Sequence, residues 1–344
     1  FFDKKIFPSK LLEINGKTEK IIKGGTNKFH LLGRGLENVK QVGIIGWGSQ
    51  APSQALNLYD TLQHINSDIK INVGLRENSK SRDEVLRHEK FNVDSINNVL
   101  NKSDLNIILI SDYAQSQLYE QIFDNIKPNS TLGFSHGFLL GHLNNINKSF
   151  RDDVNVIMMA PKGMGPSLRD KYLEGSGINS SIAIHQDING KAEDIAISWA
   201  IGVGSPYVFY TNMENEYISD IFGERAILLG GIHGIVEYLY RTYCKIYPVD
   251  IAFRKSVGSL TGPISQKISE FGLLKVYKDM CLRDKRIFEI NYTKSYNICY
   301  NLFEEIYLEV KNGNEIRNVI TTSNKEMSLI GDSPMWQVGN KCYN

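Results

Sequence analysis

A run of small and β-branched residues at 42–46 (VGIIG) leads straight into Trp47, Gly48, Ser49, Gln50 and Ala51. This GxGxxA junction constrains the fold more than any other feature of the chain. A strand that ends on glycine can turn tightly, and Gly46 supplies that freedom. Gly48 lets a pyrophosphate approach the backbone, and Ala51 is small enough for the next helix to pack on the strand. The start of that helix offers N–H groups and the positive end of its dipole to phosphate. Gly46, Trp47, Gly48, Ser49 and Gln50 are therefore the first cofactor-binding candidates. The indole of Trp47 either covers the cofactor or caps the sheet.

Short aliphatic runs recur at 71–75, 105–111, 131–135, 154–160 and 181–185, several of them continuously apolar as buried parallel strands are. Amphipathic stretches at 50–65, 95–102 and 114–126 alternate with them. The alternation predicts a Rossmann-like, doubly wound α/β domain. Residues 1–40 form a polar lead-in with weak strand signals. Past Pro206 the strand signals stop, and 216–247, 250–271 and 296–311 read as helices. The expected organisation is a cofactor-binding domain over 1–207 and an all-α domain over 208–344. A chain of 344 residues suits two domains of roughly 100–200 residues each.

With 42% hydrophobic residues and a formal charge of +1, neither disorder nor a nucleic-acid-binding surface is expected. No apolar run approaches the roughly 18 residues that a membrane helix needs. Cys244, Cys281, Cys299 and Cys342 form no CxxC pair, which points to reduced thiols and away from structural zinc. The chain begins Phe1-Phe2 without an initiator Met, which reads as a piece of a longer precursor or an incomplete sequence.

The second strand ends at Gly74-Leu75-Arg76. An acidic residue there holds the ribose 2′-OH of NAD, whereas an Arg accommodates a 2′-phosphate. Arg76 with Ser79 and Ser81 supplies a cation and hydroxyls and favours NADPH. An ordinary polar turn is the competing reading, and Glu77 could contact a ribose. His136 and Lys162 each follow an apolar run and sit beside glycine, at the carboxyl ends of strands where open α/β sheets bind ligands. They are the catalytic candidates, although a lone His is more often structural. Glu216, Asp220 and Glu224 stand four apart, on one face of a helix. Like charges so placed repel by about 0.2–0.5 kcal/mol per pair. Such a stripe suits a cation, and all-oxygen ligation suits Mg²⁺.

Several of these segments, taken together, resemble one family. GWGSQ at 46–50, SHGFLLGHL at 135–143, PKGMGPS at 161–167, GINSSIAIHQD at 177–187, SDIFGER at 219–225 and MWQVG at 335–339 are similar to ketol-acid reductoisomerase, also called acetohydroxy-acid isomeroreductase, and to its plant form in particular. The resemblance runs through nearly the whole chain. It implies a Mg²⁺-dependent alkyl shift in 2-acetolactate or 2-aceto-2-hydroxybutyrate, then reduction by NADPH to a 2,3-dihydroxy acid in valine and isoleucine biosynthesis. Asp220 and Glu224 would be Mg²⁺ ligands, with Asp220 bridging two ions and Glu216 supporting the site. His136 and Lys162 would stand near substrate and nicotinamide. Ser111 to Gln115, and Gly165, would line the cofactor. A helical domain of the knotted type, a homodimer and a plastid location are implied as well; a bacterial origin would place the protein in the cytoplasm. The chemistry accords with the residues, because cations on the hydroxyl and ketone oxygens stabilise developing alkoxide charge.

The family completes its metal site from a second half of the helical domain, with two further glutamates and a serine that touches substrate. No match to that half precedes Asn344, so the expectation is an incomplete helical domain with exposed apolar faces and weak metal binding. Glu305 and Glu309, also four apart, read as an exposed helix face. His233 with Glu237 reads as local packing, and His185 and Trp199 as structural. Two rival functions remain. One is an NADPH-binding fragment without turnover. The other is a different two-domain dehydrogenase that needs no Mg²⁺, against which the three carboxylates argue.

Overall fold

Strands buried on both faces need apolar side chains throughout, and the continuous apolar runs of this chain become the centre of a ten-stranded sheet. In the computed structural model, which describes residues 6–14, 16–322, 330 and 333–343, the strands are β1 (Ser9–Ile14), β2 (Lys17–Lys23), β3 (Gln41–Ile45), β4 (Lys70–Leu75) and β5 (Asn92–Ser95). They continue with β6 (Leu105–Ile108), β7 (Thr131–Phe134), β8 (Asn155–Pro161), β9 (Ser180–Gln186) and β10 (Tyr207–Tyr210). The order is β1-β2-β10-β9-β8-β7-β6-β3-β4-β5. From β8 to β5 every pairing is parallel. The sequence order of this parallel half reverses between β3 and β6, which makes their carboxyl ends the switch point of a doubly wound sheet.

Beyond β8 the sheet becomes mixed. β9 runs antiparallel to β8, β10 parallel to β9, and β2 antiparallel to β10. Two of these strands correct the sequence reading. β10 begins one residue after Pro206, where no further strand was expected, and at four residues it is too short to show an alternation. β5 is a polar edge strand with no fully buried residue.

Helices cover both faces. On one face Ala51–His64 and Ala192–Gly202 pack with β3, β4, β6 and β8 through Leu58, Leu62, Trp199 and Ile201. On the other, Ile96–Lys102, Asp112–Asn125 and Phe138–Asn145 enclose Val99, Ile122, Leu139 and Phe134. The chain divides into two compact units, Phe1–Tyr217 and Ile218–Asn344. The short helix Met213–Ile218 therefore lies almost wholly in the first.

The second unit is helical, but not with the single period expected for 216–247. Ser219–Gly231 follows a π-helical hydrogen-bond pattern before Ile232–Tyr243 returns to the α form. Val236, Tyr240, Ala252, Phe253 and Met335 make its small core. The long helix Leu282–Lys311 buries Val310 and leaves Leu282, Ile287, Ile298 and Leu302 exposed. Glu305 and Glu309 are exposed as well. Among the described residues no helix is long and apolar enough to cross a membrane, and Cys244, Cys281 and Cys299 are free thiols. The side chain of Cys342 lies outside the described residues.

Polar residues on the buried side of Ala51–His64 lock it in place. Asn57 Nδ2 donates to Leu168 O (3.2 Å) and Val203 O (3.1 Å), and Thr61 Oγ1 donates to Gly202 O (2.8 Å). Arg169 donates to Asn57 Oδ1 (2.8 Å) and Asp60 Oδ2 (2.7 Å), and Lys90 Nζ donates to Asp60 Oδ1 (2.8 Å). Burial alone would raise the Asp60 pKa, but the hydrogen bonds and charges of Lys90 and Arg169 outweigh it and hold it below the ordinary 3.8. A depressed native pKa contributes stability that is present above the ordinary carboxylate value and is lost as pH falls through the native one. Asp60→Asn should therefore lower stability by about 1 kcal/mol at neutral pH. The deficit should shrink in strong acid, as read from denaturant midpoints at the two conditions.

Candidate active site

The carboxyl ends of β3, β4, β6, β7 and β8 lie side by side, because Ile45 pairs with Gly74 and Ile108, and Phe134 with Ile108 and Met158. The loops that leave them carry most of the candidate residues. Gly46 turns the chain at φ +94°, where a Cβ would lie 2.5 Å from Ile110 Cγ2. Its N–H donates to Gly74 O at 3.0 Å. The side chain of the N-cap residue Gln50 does not cap the helix Ala51–His64, and the first turn carries no acidic residue, so the N-terminus suits an anion. Ser49 and Gly48 are exposed in the loop.

Trp47 behaves otherwise than a cofactor lid. Its indole is buried at 9% exposure, packs edge-on against Phe91 (5.7 Å between centroids), and donates from Nε1 to Glu84 Oε1 at 3.1 Å. It caps the sheet, which leaves the backbone as its contribution to the loop. Gln50 reaches across instead, and its Nε2 donates to Gly163 O at 3.0 Å. Gly165 makes that approach possible, since a Cβ there would fall 1.9 Å from Ser49 O. Its role is thus to let the 163–165 turn press on the phosphate loop.

Arg76 is exposed at the end of β4. Ser79 and Ser81 are half-buried in the turn behind it, which closes through Ser79 N–H to Arg76 O at 3.1 Å. Ser111 is occupied locally, because its Oγ caps the helix Asp112–Asn125 by accepting from Ala114 N at 3.3 Å. Gln115 is buried, and its Nε2 donates to Ile110 O at 3.1 Å. Its Oε1 is a buried acceptor with no hydrogen-bond partner among the described residues. A glycine turn at a helix start, a cation with two hydroxyls and an unsatisfied acceptor together fit a phosphorylated dinucleotide.

Two polar pairs stand at the β7 and β8 ends. Lys162 Nζ donates to Glu216 Oε1 at 2.6 Å and Oε2 at 2.7 Å, with the carboxylate side chain 10% and the lysine 42% exposed. Ser181 Oγ, buried on β9, donates to Glu216 Oε2 at 3.0 Å. His136 Nδ1 lies 3.4 Å from Asp112 Oδ1, and its ring is 5.5 Å from that of Tyr217. Ser181 has no role in the sequence reading, and Asp112 enters it only within the 111–115 segment expected to line the cofactor. A serine at a buried position of an otherwise aliphatic strand is the signal that could have found the first.

The acidic residues do not gather. Among the described residues no three His, Cys, Asp or Glu side chains come together as a metal site. Glu216 is drawn into the ion pair with Lys162 and is not the third member of a carboxylate cluster. Asp220 Oδ2 lies 2.9 Å from Arg225 Nη2. A π-helical segment brings residues five apart together, so Arg225 meets Asp220, while Glu224 is exposed. With Arg225 half exposed, this pair is worth about 0–1 kcal/mol and offers little resistance to a divalent ion. Asp220 and Glu224 are the carboxylates that would hold Mg²⁺, which commonly uses only one or two from the protein. Elsewhere, His233 Nδ1 sits 2.7 Å from Leu229 O, and Glu237 accepts from Arg241 and Ser333.

Comparison with known proteins follows the same division. The model of "Acetohydroxy acid isomeroreductase, NADPH-binding domain" matches residues 36–207, and that of "Ketol-acid reductoisomerase, C-terminal domain" matches 213–344. The expected loss of half the helical domain is not borne out by the second match. The chloroplastic ketol-acid reductoisomerase of Pisum sativum is 43% identical over 99% of this chain and 62% of its own length. That of Spinacia oleracea is 42% identical over 99% and 60%. The chain thus spans about three fifths of these two relatives. The mitochondrial enzyme of Neurospora crassa is 31% identical over 86% of this chain and 75% of its own length. Among solved structures, an NADH-preferring ketol-acid reductoisomerase from an uncultured archean superposes with a TM-score of 0.77 over 90% of this chain and 95% of that one. At 24% identity that likeness speaks for the fold.

If Glu216 holds Lys162, Glu216→Gln should free the amine. Lys162 should then react roughly fivefold faster with an amine-directed reagent, as followed by peptide mass spectrometry, with Lys80 as an unchanged control. An unaltered rate would contradict the pairing.

Proposed function

Because this chain belongs to the ketol-acid reductoisomerase family, we propose that it serves the NADPH- and Mg²⁺-dependent conversion of 2-acetolactate and 2-aceto-2-hydroxybutyrate to 2,3-dihydroxy acids. This is the alkyl-migration and reduction step of valine and isoleucine biosynthesis. One observation carries the reading. At a single sheet edge the GxGxxA loop adjoins a lysine held by a nearly buried carboxylate and a histidine beside an aspartate.

Residues 46–50 and Gln115 would hold the dinucleotide, with Arg76, Ser79 and Ser81 toward the 2′-phosphate. Asp220 and Glu224 would hold Mg²⁺. When bound, NADPH supplies the hydride and Mg²⁺ the Lewis acidity that polarises the ketone. Lys162 Nζ, fixed by Glu216, sets a positive donor where a substrate oxygen gains charge. His136, steadied by Asp112, is the second group at this edge able to hold or pass a proton. A plastid location accords with the chloroplastic pea and spinach relatives, and a homodimer is part of the same proposal. A small acetohydroxy acid is the expected partner, with no role for nucleic acid or membrane. A second reading, NADPH binding without turnover, is favoured by the engagement of two of the three candidate carboxylates in ion pairs, Asp220 with Arg225 and Glu216 with Lys162.

The test uses the full chain with acetolactate, Mg²⁺ and NADPH, and detects the dihydroxy acid by mass spectrometry. Lys162→Met should reduce product formation by about 100-fold or more while NADPH still binds. Arg76→Ser should weaken NADPH about tenfold and leave NADH affinity unchanged. NADPH uptake without any product would decide for the second reading, and no NADPH uptake would overturn both.

A further inference from the structure

We propose that Gln54 is a positioning residue, through which occupation of the phosphate loop sets the placement of the two loops that carry His136 and Lys162. The proposal rests on reading that loop as an NADPH site. Gln54 lies four residues beyond Gln50 on the same helix and is only 1% exposed. An apolar side chain of like volume would fill this place with no polar group to satisfy, so a buried amide here calls for specific partners.

The partners fix its orientation. The Trp199 indole can only donate, and its Nε1 lies 3.1 Å from Gln54 Oε1. The amide nitrogen must then face the opposite way. There Nε2 donates to Ser135 Oγ at 2.9 Å and, more weakly, to Gln50 Oε1 at 3.5 Å. Ser135 directly precedes His136, and its own hydroxyl donates to Met159 O of β8 at 2.9 Å. Gln50 in turn donates to Gly163 O, one residue past Lys162. A single buried side chain thus joins the first turns of the phosphate helix to the ends of β7 and β8. A shift of the helix start as phosphate binds would be transmitted to both loops, and Trp199 would register it from the core.

The full chain labelled with 5-fluorotryptophan gives a direct reading. Its ¹⁹F signals come from Trp47, Trp199 and Trp336 and are assigned through Trp47→Phe and Trp336→Phe. NADPH is titrated in, and its uptake is followed separately by its own fluorescence. The Trp199 signal should move in step with uptake. In Gln54→Met, NADPH affinity should fall roughly five- to tenfold and the Trp199 signal should no longer track binding. Ser135→Ala leaves the bond between Gln54 and Trp199 intact and serves if the first variant does not fold. It should weaken NADPH by about fivefold and shrink the Trp199 shift. A Trp199 signal that stays fixed at saturating NADPH overturns the inference, as do variants that bind and shift like the unaltered chain. If the unaltered chain takes up no NADPH, the reading of the loop falls and this inference with it.

Discussion

The arrangement at the sheet edge depends on the carboxylate of Glu216 being neutralised where it is buried. Left alone, a desolvated carboxylate costs several kcal/mol. Lys162 meets both of its oxygens and Ser181 adds a third donor, so the charge is satisfied from two strands at once. This fixes the helix Met213–Ile218 against the ends of β8 and β9. The same helix presses on the end of β7, where a Cβ on Gly137 would fall 2.0 Å from Met213 O. The result is a lysine whose amine is held by the carboxylate while its side chain remains exposed.

The neighbouring phosphate loop is built by backbone proximity and not by charge. Gly46 and Gly165 each occupy a place where a side chain would collide with another segment. Gln50 ties the two segments with one amide hydrogen bond. Side chains at this edge therefore fall into two kinds. Some, such as Trp47 and Ser111, hold the scaffold through bonds of their own. Others, such as Arg76, Gln115 and Lys162, keep capacity for a ligand.

Much of this was legible in the residues. Continuous apolar runs announced β3, β4, β6, β7 and β8 because buried parallel strands tolerate little else, and a like run announced β9, although it turns out antiparallel to β8. The GxGxxA junction located the turn at Gly46, since sterics there admit only glycine. Less legible was anything decided by partners distant in sequence. The polar lead-in looked weak because the β1–β2 hairpin joins the rest of the sheet through the pairing of β2 with β10, almost two hundred residues on. The destination of the Trp47 indole turned on Phe91 and Glu84. Glu216 looked like a third member of a carboxylate stripe because an α-helical period was assumed. The π-helical stretch from Ser219 alters that period, and Lys162 claims the first carboxylate.

A double-mutant cycle on Lys162→Met and Glu216→Gln tests the pairing on which the site depends, with stability measured by denaturant unfolding of both single variants, the double variant and the unaltered chain. The account predicts a favourable coupling of at least about 1 kcal/mol, as expected for a charge-assisted hydrogen-bonded pair shielded on one side. Additive losses, with coupling below about 0.3 kcal/mol, would mean that the two residues do not hold one another and that Lys162 is an ordinary solvated lysine.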